Sequence, residues 1–236
     1  IKDSADLAER LDAPVCCNYQ HNDAFPGSHP FSVGPLGYNG SKAAMELIAK
    51  SDVVLALGTR LNPFSTLPGY GIDYWPKDAE IIQVDINPDR IGLTKKVSVG
   101  IVGDAGKVAR GIMARLSDNA GDAGREERKA LIAKTKAAWA DELMTIIHEE
   151  DDPGTSWNER ARNKDADKMS PRQAWQALMK AMPENAIISS DIGNNCALGN
   201  AYPTFEEGRK FLPPGLFGPC GYGFPAICGA KIAKPD

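Results

Sequence analysis

The sequence predicts an α/β fold: a Rossmann-like parallel-sheet unit over residues 1–116, then the truncated start of a second α/β unit over 169–236. Three observations predict it. The apolar runs VVLALG (53–58), EIIQVDI (80–86) and VSVGIVG (97–103) are continuous rather than alternating, as strands covered on both faces require. Helical patterns with capping residues alternate with strand-like runs, which favours an open parallel sheet. After a polar stretch, a new helix, strand and glycine turn begin at Met169.

Taken in order, SADLAERL (4–11) has helical spacing and PVCC (14–17) reads as a short buried strand. Residues 18–40 form a long polar loop rich in Gly and Pro. Ser41 caps the helix KAAMELIAK, and Asp104 caps AGKVARGIMARL. The segment 117–168 reads as a linker. SDNAGDAGREE is polar and flexible by composition, and DDPGTSWNERARNKDADK is a second connector. Between them, Ile132, Trp139, Leu143, Ile146 and Ile147 space out one amphipathic helix that packs against a unit rather than forming one. Ser170 and Pro171 then open the helix PRQAWQALMKAM, with an apolar stripe of Ala174, Trp175, Leu178 and Met182. The strand AIISS (186–190) leads into DIGNNCALGNAY and another helix.

Composition narrows the function. The 236 residues suffice for one large or two ordinary domains, and 42% hydrophobic with 25% charged residues is ordinary for a globular protein. A net charge of −4 argues against a nucleic-acid or anionic-membrane surface, and no apolar run is long enough to span a bilayer. The five cysteines (Cys16, Cys17, Cys196, Cys220, Cys228) show neither a CxxC pair nor zinc-like spacing with histidine. They are expected to be reduced thiols in a cytoplasmic protein. The chain opens inside a helical pattern and closes just after a glycine-rich loop, so it reads as a fragment.

Two turns carry the candidate chemistry. In SSDIGNN a strand ends, a glycine turns the chain, and a helix begins; free N–H groups and the positive helix end there suit a phosphate. Asn194 and Asn195 add neutral donors at that point. The alternative is that Asp191 and Asn194 merely cap the turn and the helix. In GLFGPCGYGFPAICGAK, Gly218, Gly221 and Gly223 permit close backbone approach or positive φ, and Pro225 is placed to start a helix. Here the alternative is a tight crossover with small residues for packing.

Together, DIGNN and GPCGYGFPAICGAKIAKPD resemble the start of the diphosphate-binding domain of thiamine-diphosphate enzymes, in the acetohydroxyacid synthase and pyruvate oxidase superfamily. FPGSHPFSVGPLGYNGSKAAMELIAKSDVVLALGTR and IIQVDINPDRIG are similar to that superfamily's central domain, so the resemblance covers nearly the whole chain. Within it, CCNYQHNDAFPGSHP, RLNPFSTLPGYGIDYWPKDA and SSDIGNNCALGNAYPTFEEGRKF resemble the sulfoacetaldehyde acetyltransferase family. That resemblance implies thiamine diphosphate as cofactor, sulfoacetaldehyde and phosphate as substrates, and acetyl phosphate and sulfite as products. It places Gly193, Asn194 and Asn195 at the diphosphate, and Gly218, Pro219, Cys220 and Gly221 at the cofactor's middle. The Gly218 carbonyl would face the pyrimidine amine, and Cys220 would take the place of a bulkier apolar support. A nucleophilic role for Cys220 is set aside, because no histidine lies near it in sequence.

The resemblance further implies that the Mg²⁺ ligands follow Asp236 and that the activating glutamate precedes Ile1, so no catalytic or metal residue is assigned within the chain. It implies a homodimer or homotetramer. The central unit could bind FAD or ADP through Gly58, Arg60 and Asp85. The favoured alternative is structural, with Asp85 organising the turn around Asn87 and Arg60 in an ion pair. His21 and His29 read as loop histidines satisfied by neighbours, although His29 matches a family position near the ligand cleft. Two further readings stay open: a superfamily member that uses a 2-oxo acid, and a non-catalytic nucleotide-binding module.

Overall fold

The computed structural model describes residues 1–148, 171–215 and 217–235. Helix α1 (Lys2–Leu11) ends where Asp12 takes a left-handed conformation at φ 49°. Strand β1 (Val15–Cys17) pairs in parallel with β2 (Ser32–Pro35). The sequence alone left β2 inside a loop, because SVGP is neither a continuous apolar run nor an alternating one. Pairing holds it instead: Val15 N donates to Phe31 O and Leu36 N to Cys17 O, both at 2.8 Å.

Helix α2 (Lys42–Ile48) starts as expected, with Ser41 Oγ accepting from Ala44 N at 3.2 Å. Its Met45, Leu47 and Ile48 enclose the main core with Val33, Leu36, Tyr74 and Ile132. Full burial of a side chain such as Met45 contributes about 1.5–3 kcal/mol. Tyr74 reaches that core because its hydroxyl finds a partner, Ser65 O, at 2.8 Å.

The parallel sheet has the order β3 (Val53–Leu57), β4 (Glu80–Asp85), β5 (Val99–Val102). Helix α3 (Ala105–Met113) follows, its N-terminus held by Asp104 Oδ1, which accepts from Lys107 N at 2.9 Å. It packs on β4 and on α1, where Arg110 meets Asp3 at 2.5 Å. The expectation that all three strands are covered on both faces needs correcting. Central β4 buries Ile81 and Val84, whereas the two outer strands leave Val53, Val99 and Val102 exposed, since among the described residues each has a strand on one side alone.

Helix α4 (Arg125–His148) buries Ile132 and Thr135 and packs on α2, with Lys42 and Glu142 paired at 2.8 Å. Its first turn docks on the end of α1, where buried Asp12 pairs with Arg125 at 2.8 Å. The segment before it is not the loose linker that composition suggested. Arg10 donates to Ala120 O and Asp118 O, at 2.9 and 2.7 Å, and Arg128 donates to Ala123 O at 2.7 Å. The second polar connector (151–168), Met169 and the capping Ser170 lie outside the described residues.

Helix α5 (Pro171–Ala181), strand β6 (Ile188–Ser189), helix α6 (Asn194–Ala201), strand β7 (Phe211–Leu212) and helix α7 (Gly223–Ala233) follow among the described residues. Strands β6 and β7 pair in parallel; two residues, Phe211 and Leu212, were too few to stand out as a strand in the sequence. In the predicted stripe, Ala174, Trp175 and Met182 are half-buried but Leu178 is exposed; among the described residues α5 packs chiefly on α6 and α4. Among the described residues no helix is long and apolar enough to cross a membrane.

Candidate functional site

Strand β6 delivers the chain to Asp191, and Gly193 then turns it at φ 120°, ψ −162°, a conformation open essentially to glycine alone. Helix α6 begins at the next residue with no side chain capping its N-terminus. Gly193, Asn194 and Asn195 are exposed, so the leading backbone amides face outward, where the helix dipole favours an anion. Asn195 Nδ2 is already engaged with Asp191 O at 3.2 Å. The Asn194 amide has no partner among the described residues.

The glycine-rich loop comes to this turn. Both Asp191 carboxylate oxygens accept from Gly221 N, at 3.0 and 2.9 Å, and Gly223 N lies 3.5 Å from Oδ2. Gly223 is demanded by contact, because a Cβ there would stand 3.1 Å from Asp191 N. Asp191 therefore does not cap α6: it organises its own turn through Ile192 N at 2.9 Å and clamps a loop 30 residues away, at the start of the helix Gly223–Ala233. Burial pulls the pKa of its carboxyl upward, but the amides of Ile192, Gly221, Gly223 and Tyr222 outweigh that and hold it below the ordinary carboxylate value. Pro219 and Cys220 are exposed on the loop, and the space beside the Gly221 Cα is open.

Helix α6 is gripped from two sides. Trp175 of α5 packs where Gly199 leaves room, its ring 2.9 Å from where a Cβ would sit. On another face, Gln20 Nε2 donates to Cys196 Sγ at 2.9 Å and Gln20 N to Asn200 Oδ1 at 2.8 Å. Asn22 Nδ2 donates to Pro203 O at 2.7 Å, and Asp23 Oδ2 accepts from Lys210 N and Phe211 N at 3.0 and 3.2 Å. The loop 18–29 is thus a seam joining the first unit to the turn. Sequence reasoning missed these residues, whose only signal was side-chain amides and a carboxylate packed into NYQHND.

The other predicted residues lie elsewhere. Gly58 and Asp85 end adjacent strands of the larger sheet. Asp85 is 4% exposed and its Oδ1 accepts from Asn87 N at 2.9 Å, so the geometry gives it the turn-organising role rather than a ribose contact. Among the described residues Arg60 makes no ion pair, contrary to the structural alternative proposed for it. His29 is satisfied by neighbours: Nε2 meets Glu9 Oε1 and Nδ1 accepts from Phe31 N, both at 3.1 Å. His21 is exposed. All five cysteines are free. Burial pushes the Cys16 thiol up to about 11 and, helped by the nearby Cys16 and Asp23, Cys17 up to about 12.

Comparison with known proteins identifies the family. The family described as thiamine pyrophosphate enzyme, central domain, matches residues 2–112, and the thiamine pyrophosphate enzyme C-terminal TPP binding domain matches residues 191–236. The chain belongs to the thiamine pyrophosphate enzymes. A sulfoacetaldehyde acetyltransferase of Roseovarius nubinhibens is 77% identical over 100% of this chain and 39% of its own length. A probable sulfoacetaldehyde acetyltransferase of Rhizobium meliloti is 72% identical over 100% of this chain and 40% of its own length. A probable acetolactate synthase large subunit of Methanocaldococcus jannaschii is 32% identical over 97% of this chain and 36% of its own length. The chain thus spans about two-fifths of the length of these curated sulfoacetaldehyde acetyltransferases. The cofactor of a thiamine pyrophosphate enzyme fits what the turns offer. Helix α6 presents uncapped amides to an anion, and the charge of Asp191 is already met by the loop's own amides rather than aimed at a phosphate.

Proposed function

We propose that this chain serves a thiamine-diphosphate-dependent acetyl transfer in which sulfoacetaldehyde and phosphate yield acetyl phosphate and sulfite. The convergence of the two turns through Asp191 and Gly221 is the observation that carries this reading. The high identity to sulfoacetaldehyde acetyltransferases supports the substrate. In this reading residues 1–116 are the central unit, 117–168 the connector and 169–236 the opening of the cofactor unit.

The N–H groups at Gly193, Asn194 and Asn195 donate to the diphosphate, with the α6 dipole favouring its charge. Asp191 keeps the glycine loop registered against that turn. The Gly218 carbonyl, at the entrance to the loop, accepts from the pyrimidine amine, while Pro219 and Cys220 line the cofactor's middle. When bound, thiamine diphosphate supplies a nucleophilic carbon and an electron sink, so the protein's task is orientation and electrostatics. The overall conversion needs no oxidant or reductant, which agrees with a structural role for the central sheet.

The test is an assay of the full-length protein with sulfoacetaldehyde and phosphate in parallel with pyruvate. Sulfite and acetyl phosphate without carbon dioxide are expected. Carbon dioxide from pyruvate with no sulfite from sulfoacetaldehyde would move the protein to the 2-oxo-acid chemistry suggested by its acetolactate synthase relatives.

A further inference from the structure

Both elements that flank the cofactor turn are held by three residues of one short stretch of the first unit, Gln20, Asn22 and Asp23. Helix α6 is fixed through Cys196 and Asn200, which stand four residues apart and so share one face. The exit from α6 is fixed through Asn22 and Pro203 O. Strand β7, which pairs with the β6 strand that leads to Asp191, has its first amides bound by Asp23. The groups involved are interior ones: Gln20 is 6% exposed, Asn22 7%, Cys196 0% and Asn200 0%. Buried polar networks of this kind specify one geometry, because a displaced member leaves its partners unsatisfied in a poorly solvating interior.

We propose that Gln20 is a positioning residue for the cofactor turn: through Cys196 and Asn200 it sets the angle at which α6 presents its N-terminal amides. This inference rests on the cofactor reading above. Cys196 is three residues past Gly193, within the first turn of α6, so a shift there moves the amides directly. Trp175 holds another face of the helix, so a change at the Gln20 contact would tilt it against that support. The thiol acts as a hydrogen-bond acceptor in this arrangement. Burial raises its pKa, which keeps it protonated at neutral pH.

The test uses the full-length protein and thiamine diphosphate itself, with affinity read from quenching of tryptophan fluorescence. Gln20→Leu is expected to raise the Kd for thiamine diphosphate by about 5- to 30-fold, the range for one buried hydrogen bond and its unsatisfied partner. At saturating cofactor, the KM for sulfoacetaldehyde is expected to stay within about twofold, and the apoprotein to remain folded throughout the titration, with only a small drop in melting temperature. Cys196→Ala should weaken cofactor binding in the same way, while Cys196→Ser, which keeps an acceptor, should restore it. These two variants decide the matter if Gln20→Leu fails to fold. Unchanged cofactor affinity in Gln20→Leu and Cys196→Ala overturns the inference. So does a loss that only tracks a lower melting temperature and a shifted KM, because that marks a purely structural contact. No thiamine diphosphate binding by the unaltered protein removes the cofactor reading itself, and this inference with it.

Discussion

Strands β4 and β6 end on nearly the same words, Asp-Ile-Asn at 85–87 and Asp-Ile-Gly at 191–193, yet the two ends behave in opposite ways. After β4 the chain closes on itself. Asp85 accepts from Asn87 N, and Asn87 Oδ1 accepts from Asp89 N at 3.0 Å to start a short turn. Gln83 ties that turn down, donating to Arg90 O at 3.0 Å and accepting from Gly92 N at 2.8 Å. After β6 the glycine swings the backbone to φ 120°, the following helix goes uncapped, and the aspartate reaches out to a separate loop. A strand end whose polar groups are all spent locally is a structural joint. One that leaves its amides outward is a place for a ligand.

The most severe way to break this contrast is Gly193→Val. The side chain cannot follow the native dihedrals, a strain of about 1–3 kcal/mol, and Asn195 Oδ1 lies 3.1 Å from the new Cβ. Cofactor affinity, read by titration of the full-length protein, is expected to fall about 100-fold. Next comes Asp191→Asn, which keeps one acceptor oxygen but loses the charge that grips Gly221; about a tenfold loss of cofactor affinity is expected. Asp104→Ala makes the complementary cut in the sheet unit. It removes the cap of α3, lowers stability to denaturant by about 1 kcal/mol, and should leave cofactor affinity unchanged. An equal loss of affinity there would show that the two ends are not independent.

The smallest effect concerns pH. The Asp191 pKa is depressed in the folded chain, so its contribution is complete above the ordinary carboxylate value of about 4. It is lost only as pH falls through the depressed value. Cofactor affinity should therefore carry no slope from Asp191 near neutrality, and Asp191→Asn should flatten the acid limb alone.

Features set by local chemistry were legible in the sequence. Ser41 and Asp104 announced their helices because a cap acts on amides within three residues of itself. The apolar runs announced β3 and β4 by their continuity. The two turns of the site stood out by their glycines. What stayed hidden depends on partners far along the chain. Strand β2 exists because β1 lies beside it, β7 because β6 does, and the seam joins Gln20 to Asn200 across 180 positions. No periodicity encodes such a pairing. The role of Asp191 was half visible: its position at a strand end could be read, but not the loop it would hold.

The uneven burial of the thiols gives the molecule a built-in reporter. Cys16, Cys17 and Cys196 are shielded from solvent or nearly so, whereas Cys220 and Cys228 are accessible. An alkylating dye applied at neutral pH would therefore mark the loop and the helix after it while sparing the interior. Because Cys220 sits between Gly218 and Gly221, the speed of its modification should follow occupancy of the loop, with no tag engineered into the protein.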